Sequence, residues 1–258
     1  MTSPRPALDL SLLPDGGVRW LDASGPNADV VISTRMRLAR NVSGYAFTGR
    51  ARDGERLRML AQVRDALGAV PSLRGSLLVR LEELSTVDRQ LLHERHVVSK
   101  ELAGLDPQHP IRSGAAVFLG ESVGLLVNEE DHLRLQALRS GFAVPQAFEA
   151  VHQLDHELGS QVPYAFHREF GFLTACPTNA GTGLRASVLI HLPGLVQKQT
   201  QILAVSSLQS ASIYAIDSAS RLEVIPRDHS RGFGSTNPAA AFKQVQRSPG
   251  DGSAACCE

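Results

Sequence analysis

Cys176-Pro-Thr-Asn-Ala-Gly-Thr-Gly-Leu-Arg-Ala-Ser-Val-Leu-Ile-His-Leu192 runs a loop straight into a strand. From Leu184 the apolar residues alternate, so Leu184, Ala186, Val188, Ile190 and Leu192 share one face of an extended segment. Arg185, Ser187 and His191 point the other way, together with Leu189. Gly181 and Gly183 let backbone N–H groups approach an anion, and Arg185 is placed to clamp it with a planar fork. Taken alone, the stretch reads equally well as a structural turn before a buried strand.

A second basic segment lies upstream, Asp29-Val-Val-Ile-Ser-Thr-Arg-Met-Arg-Leu-Ala-Arg-Asn41. Its β-type start delivers Ser33, Thr34, Arg35, Arg37 and Arg40 in quick succession. In extended geometry Arg35 and Arg37 share a face about 7 Å apart, a spacing that suits neighbouring phosphates. A solvated basic strand is the plainer alternative. In Asn128-Glu-Glu-Asp-His-Leu-Arg-Leu-Gln136, Leu133, Leu135 and Ala137 alternate with Arg134 and Gln136, so that segment is strand-like with Arg134 on its polar face. Glu129, Glu130 and Asp131 read either as a solvated turn or as carboxylates able to orient a flat cation and take its proton.

The three segments together resemble the signatures of the guanidino-group (phosphagen) kinases, and the run from Cys176 is most similar to their bacterial protein-arginine kinase branch. The resemblance implies that Arg35 and Arg37, Arg134, and Arg185 hold ATP phosphates. Ser33, Thr34 and Met36 flank the first pair, and Ala186, Ser187, Val188 and Leu189 follow Arg185 along the nucleotide edge. It also implies that Glu130 is the acid/base at the acceptor guanidinium. Cys176 is then a thiolate beside that guanidinium and forms no phospho-enzyme. Arg40 is a second-tier phosphate candidate. LLHERHVVS resembles the family's helix that ends beside the nucleotide, which puts His96 at the nucleotide and leaves His93 as an ordinary helical residue. ATP with Mg²⁺ bound through its phosphates, and no protein-held metal, is the implied cofactor set. Implied partners are proteins with exposed arginines and an activating adaptor protein.

Composition fits this reading. Twenty-six basic and 26 acidic residues give a formal net charge of +0, which argues against a nonspecific grip on nucleic acid or an anionic membrane. No apolar run approaches the roughly 20 residues of a spanning helix. Three cysteines, two adjacent at Cys256 and Cys257, make no disulfide framework, so a reducing cytoplasm is expected. Amphipathic helices are expected near 53–68 (stripe Leu57, Leu60, Ala61, Leu67), 85–98 and 145–158, with Asp155, His156 and Glu157 on a wet face. Ala115–Asn128 reads as a hairpin. The expected fold is α+β, a mainly antiparallel sheet flanked by helices.

The expected organisation is an arm over 1–19, a catalytic core over 20–196, and a divergent segment over 197–258, disordered from about 230. Near the expected place of the family's R-G-x-Y-G-E segment stands Ser212-Ile-Tyr-Ala-Ile-Asp217, without its arginine or glutamate. The chain therefore reads as C-terminally truncated or divergent. Two readings compete with an active protein-arginine kinase: a nucleotide-binding pseudokinase or regulatory subunit without turnover, and a non-functional fragment with open sheet edges.

Overall fold

A computed structural model describes Leu13, residues 18–191, and the two strands 212–216 and 221–225. The expected disorder from 230 and the tail cysteines lie outside these residues. In chain order the elements are β1 (Val31–Arg40), α1 (Asp53–Ala66), β2 (Leu77–Arg80), α2 (Thr86–Glu94), β3 (Ala116–Leu119), β4 (Val123–Val127), β5 (Leu133–Ser140) and α3 (Val144–Gly159). There follow β6 (Phe166–His167), β7 (Gly171–Phe172), β8 (Leu184–Ile190), β9 (Ser212–Ile216) and β10 (Arg221–Ile225).

Among the described residues eight strands form one sheet in the order β2-β3-β4-β5-β1-β8-β10-β9. Every pairing in it is antiparallel, as expected from the hairpin connections. The sheet has two differently covered faces. On the first, Met36, Leu38, Leu125, Leu133, Leu135 and Ala137 pack under Met59, Leu60 and Val63 of α1 and Ala147, Phe148, Val151, Leu154 and Leu158 of α3. The α3 stripe is the expected one. In α1 it is rotated, because Leu57 is exposed and Met59 and Val63 carry the burial.

On the second face, Val79, Val117, Leu119 and Leu126 are covered by Leu92 of α2 and by Val97, Val98 and Leu102 beyond it. Ser85 starts α2 by accepting a hydrogen bond from Asp88 N at 3.1 Å. The helix ends at Glu94, so His93 is helical, with Nδ1 3.3 Å from Val98 O, but His96 is not. The expectation of a helix through residue 98 is corrected here: His96 stands beyond its end at φ 59°. No helix among the described residues is long and apolar enough to cross a membrane.

Candidate active site

Cross-strand register decides which side chains meet. Arg37 pairs with Gln136 on one side and Arg185 on the other, Arg35 with Leu138 and Ser187, and Ala39 with Arg134. Residues in register project to the same face. Arg35, Arg37, Arg134, Arg185, Gln136 and Ser187 therefore share the second face, over the strands that α2 does not cover. Arg35 Nη2 is buried and has no hydrogen-bond partner among the described residues. A buried cationic donor left open in this way is suited to an anion.

At one end of this face a small cleft is lined by Ser33, Arg35, His96, Leu138, Ser187, Val188 and Leu189. Several expected nucleotide residues thus do converge. Others face elsewhere. Thr34 is fully buried and pins β1 to the start of α3, donating to Gly141 O at 2.7 Å and accepting from Ala143 N at 3.0 Å. Met36 and Ala186, paired with each other, pack toward the first-face core. Thr34, Met36 and Ala186, expected along the nucleotide, thus face away from the arginine-lined face.

At the opposite end stand two loops, since β5 and β8 both begin beside the end of β1. In the loop 128–132, Arg134 Nη1 donates to the buried Glu129 Oε1, while Arg134 Nη2 lies 3.7 Å from the exposed Glu130 Oε2. The part of the Glu130 carboxyl that is covered loses hydration and raises its pKa, Asp131 and Glu129 add to the rise, and Arg134 opposes it. A carboxylate tuned upward is a better proton acceptor. Asp131 is buried, and its Oδ1 accepts from Asn41 Nδ2 at 2.7 Å and from Ala175 N at 2.6 Å. That bond joins the acidic loop to the cysteine loop, with Glu130 and Cys176 each one residue away from it. Cys176 is partly exposed, with Sγ 2.9 Å from Thr178 Oγ1.

Arg40 is not available to a phosphate. Its side chain is fully buried and donates to Asp155 Oδ1 at 2.9 Å and Oδ2 at 2.7 Å, to Ala39 O and to Thr182 O. Its guanidinium also lies 3.7 Å from the centroid of the Phe172 ring. The second-tier role and the wet face at Asp155 both fall to this pair. Glu157 is likewise occupied, accepting from Ser72 N at 2.8 Å. Gly183 adopts φ 64° and sits where a Cβ would come within 2.6 Å of Ala39 O and 2.7 Å of Arg40 Nη1. Its lack of a side chain therefore serves close packing around Arg40.

Sequence reasoning named Glu129 only as one of three carboxylates and did not foresee that it holds Arg134, nor that Trp20 packs against His96. Alternation within LRLQ already carried the signal for Gln136.

Residues 58–226 match the model of the ATP:guanido phosphotransferase C-terminal catalytic domain. The chain belongs to this family. The match extends past Val196, where the motif resemblance ends, and takes in β9 and β10, which continue the sheet from β8. Among curated relatives, the protein-arginine kinase of Desulforamulus reducens is 42% identical over 191 residues, covering 72% of this chain and 52% of the relative. That of Moorella thermoacetica is 40% identical over 209 residues, covering 79% and 58%. The chain thus spans a little over half the length of these relatives. Solved structures show the same fold. The taurocyamine kinase of Schistosoma mansoni with bound transition-state analog components superposes with a TM-score of 0.72 at 23% identity, covering 94% of this chain and 34% of that one. Lombricine kinase gives 0.61 at 18% identity, covering 94% and 71%.

Proposed function

We propose that this guanidino phosphotransferase family member phosphorylates arginine side chains of proteins with ATP. The observation that carries the reading is the order of groups along β1. His96 and Ser33 stand at one end, Arg35 and Arg37 with Arg185 in the middle, then Arg134, and finally Glu130 and the Cys176 loop. From Ser33 to Ala39 the strand advances about 20 Å, room for a base, a phosphate chain and an acceptor laid end to end.

The donor set fits a polyphosphate: four guanidinium groups on one face, with Arg35 Nη2 buried and open. ATP with Mg²⁺, when bound there, supplies the phosphoryl group and neutralises part of its charge. Arg35, Arg37, Arg134 and Arg185 hold the phosphates and offset the charge that develops during transfer. Glu130 orients the incoming guanidinium and accepts the proton its nitrogen sheds as the N–P bond forms and the bond to ADP breaks. Cys176 places a thiol on the same side. Glu129 keeps Arg134 aimed and leaves Glu130 exposed to the acceptor. Protein rather than small-guanidine substrates are favoured by the sequence likeness to protein-arginine kinases, and a cytoplasmic setting by the cysteine usage.

The test incubates the purified chain with Mg-ATP and an arginine-rich protein, scoring acid-labile phosphoarginine. Glu130→Gln is expected to lose about 10²–10⁴-fold in rate, the usual share of a positioned base. Equal rates in both proteins would remove Glu130 from the reaction. ATP binding that Arg134→Ala abolishes, with no phosphoarginine from the wild type, would leave a nucleotide clamp without turnover.

A further inference from the structure

Trp20 is the chain's single tryptophan and lies upstream of the span that the family model matches. It is buried in a 3-10 turn, Arg19–Leu21, ahead of β1. Its indole Nε1 donates to Arg95 O at 3.2 Å. Its ring packs against that of His96, with centroids 4.8 Å apart and planes tilted by 33°. His96 itself holds a left-handed conformation, φ 59°, which a non-glycine residue keeps only when its surroundings impose it.

Those surroundings are visible. Val97 O accepts from Gln136 Nε2 at 2.8 Å, a side chain of the arginine-lined face. Three successive residues beyond α2 are thus fixed, Arg95 and His96 by Trp20 and Val97 by Gln136. The residue in the middle is the one that lines the cleft with Ser33, Arg35, Leu138 and Leu189. Leu138, Val188 and Leu189 give the cleft an apolar side beside Ser33 and Arg35, at the end away from Arg134 and Glu130, and that side offers a flat heterocycle a contact a phosphate does not use.

We infer that Trp20 is a positioning residue for the nucleotide: by packing against His96 it sets the grip on the base and leaves the grip on the phosphates alone. The inference rests on reading the cleft as a nucleotide site. Trp20 touches no ligand and acts through His96.

The experiment measures binding of ATP and of inorganic tripolyphosphate, the same anion without a base, to the full chain. Trp20→Ala is expected to weaken ATP about 10-fold, the scale of one stacked base, while tripolyphosphate changes by less than about 2-fold. Trp20→Phe, which keeps a ring but not the indole N–H, is expected to restore most of the loss. His96→Ala is expected to match Trp20→Ala, and the double variant to lose no more than either, the mark of two residues acting as one. In the wild type, emission of the lone indole is expected to respond to ATP and not to tripolyphosphate. This last readout needs no variant to fold.

Equal weakening of both ligands by Trp20→Ala would make Trp20 a general structural residue and overturn the inference. So would ATP binding with a silent indole and unchanged affinity in Trp20→Phe and Trp20→Ala, while leaving the nucleotide reading intact. Failure of ATP to bind the wild type would remove that reading, and this inference with it.

Discussion

Arg40 and Arg134 each meet a buried carboxylate at the same end of the sheet, yet the two pairs are built differently. Arg40 is fully buried, paired in parallel to both oxygens of Asp155, and its remaining donors reach Ala39 O and Thr182 O. Arg134 keeps 15% of its side chain exposed, bonds one oxygen of Glu129, and stands 3.7 Å from Glu130. Glu129 Oε2 has no hydrogen-bond partner among the described residues. A closed, saturated pair serves the fold. A pair with open valences beside an exposed carboxylate is suited to a ligand, because buried polar atoms are rarely left unmatched without a reason.

Breaking the closed pair sharpens this contrast most. Asp155→Ala strands a guanidinium that no other carboxylate among the described residues meets, and removing one partner of a buried ion pair costs about 3–5 kcal/mol. Urea unfolding should show the midpoint falling steeply. A change below about 1 kcal/mol, the scale of an exposed pair, would mean that Arg40 finds water or another acceptor, and the contrast would collapse. A smaller effect is expected from Gly183→Ala. A methyl group there meets Ala39 O and Arg40 Nη1 and forces a non-glycine residue into left-handed backbone, about 1–3 kcal/mol for the conformation alone. If stability were unchanged while tripolyphosphate binding fell, Gly183 would belong to the anion site instead, as the bare sequence suggested.

The two arginines also show what a sequence can and cannot tell. The spacing of Arg35 and Arg37 and the alternation after Leu184 were enough to place the strands and their polar faces, since period-two patterns depend on local geometry alone. The register that sets Arg37 opposite Arg185 was not legible, because it joins positions remote in sequence. Arg40 looked like a third member of the basic motif and Asp155 like part of a wet helix face. Only folding brings them together, and nothing local to either residue announces it. The helix over 85–98 was overextended for the converse reason: Leu91, Leu92 and Val98 keep a helical spacing, yet the helix ends at Glu94, four residues early, and tertiary contacts from Trp20 and Gln136 hold the residues that follow. Among the three carboxylates only the family resemblance singled out Glu130, and the burial of Glu129 and Asp131 beside it was not legible in the sequence.

The smallest effect concerns the frame of the open pair and is read by pH. His132 closes the acidic loop: its Nδ1 accepts from Val42 N at 2.9 Å, and its Nε2 lies 2.8 Å from Ala46 O. A backbone N–H must donate, so Nδ1 carries no proton and Nε2 carries the one that Ala46 O accepts. The neutral ring satisfies both partners. A charged ring would set a second N–H against Val42 N–H. Burial lowers the His132 pKa below 6.5, and outweighs the opposing pull of the Ala46 carbonyl, Asp131 and Glu55. A base whose folded pKa is lowered favours folding fully at a pH above its unfolded value. As pH falls below about 6.5 the unfolded chain takes the proton first, and stability drops until the folded pKa is passed. Each unit of lowering contributes about 1.4 kcal/mol to that drop. Unfolding free energies measured from pH 8 to pH 5 should therefore fall more steeply in the wild type than in His132→Gln, whose amide does not titrate. Parallel profiles would show that His132 binds a proton as readily folded as unfolded, and that the acidic loop keeps its shape without a neutral ring beneath it.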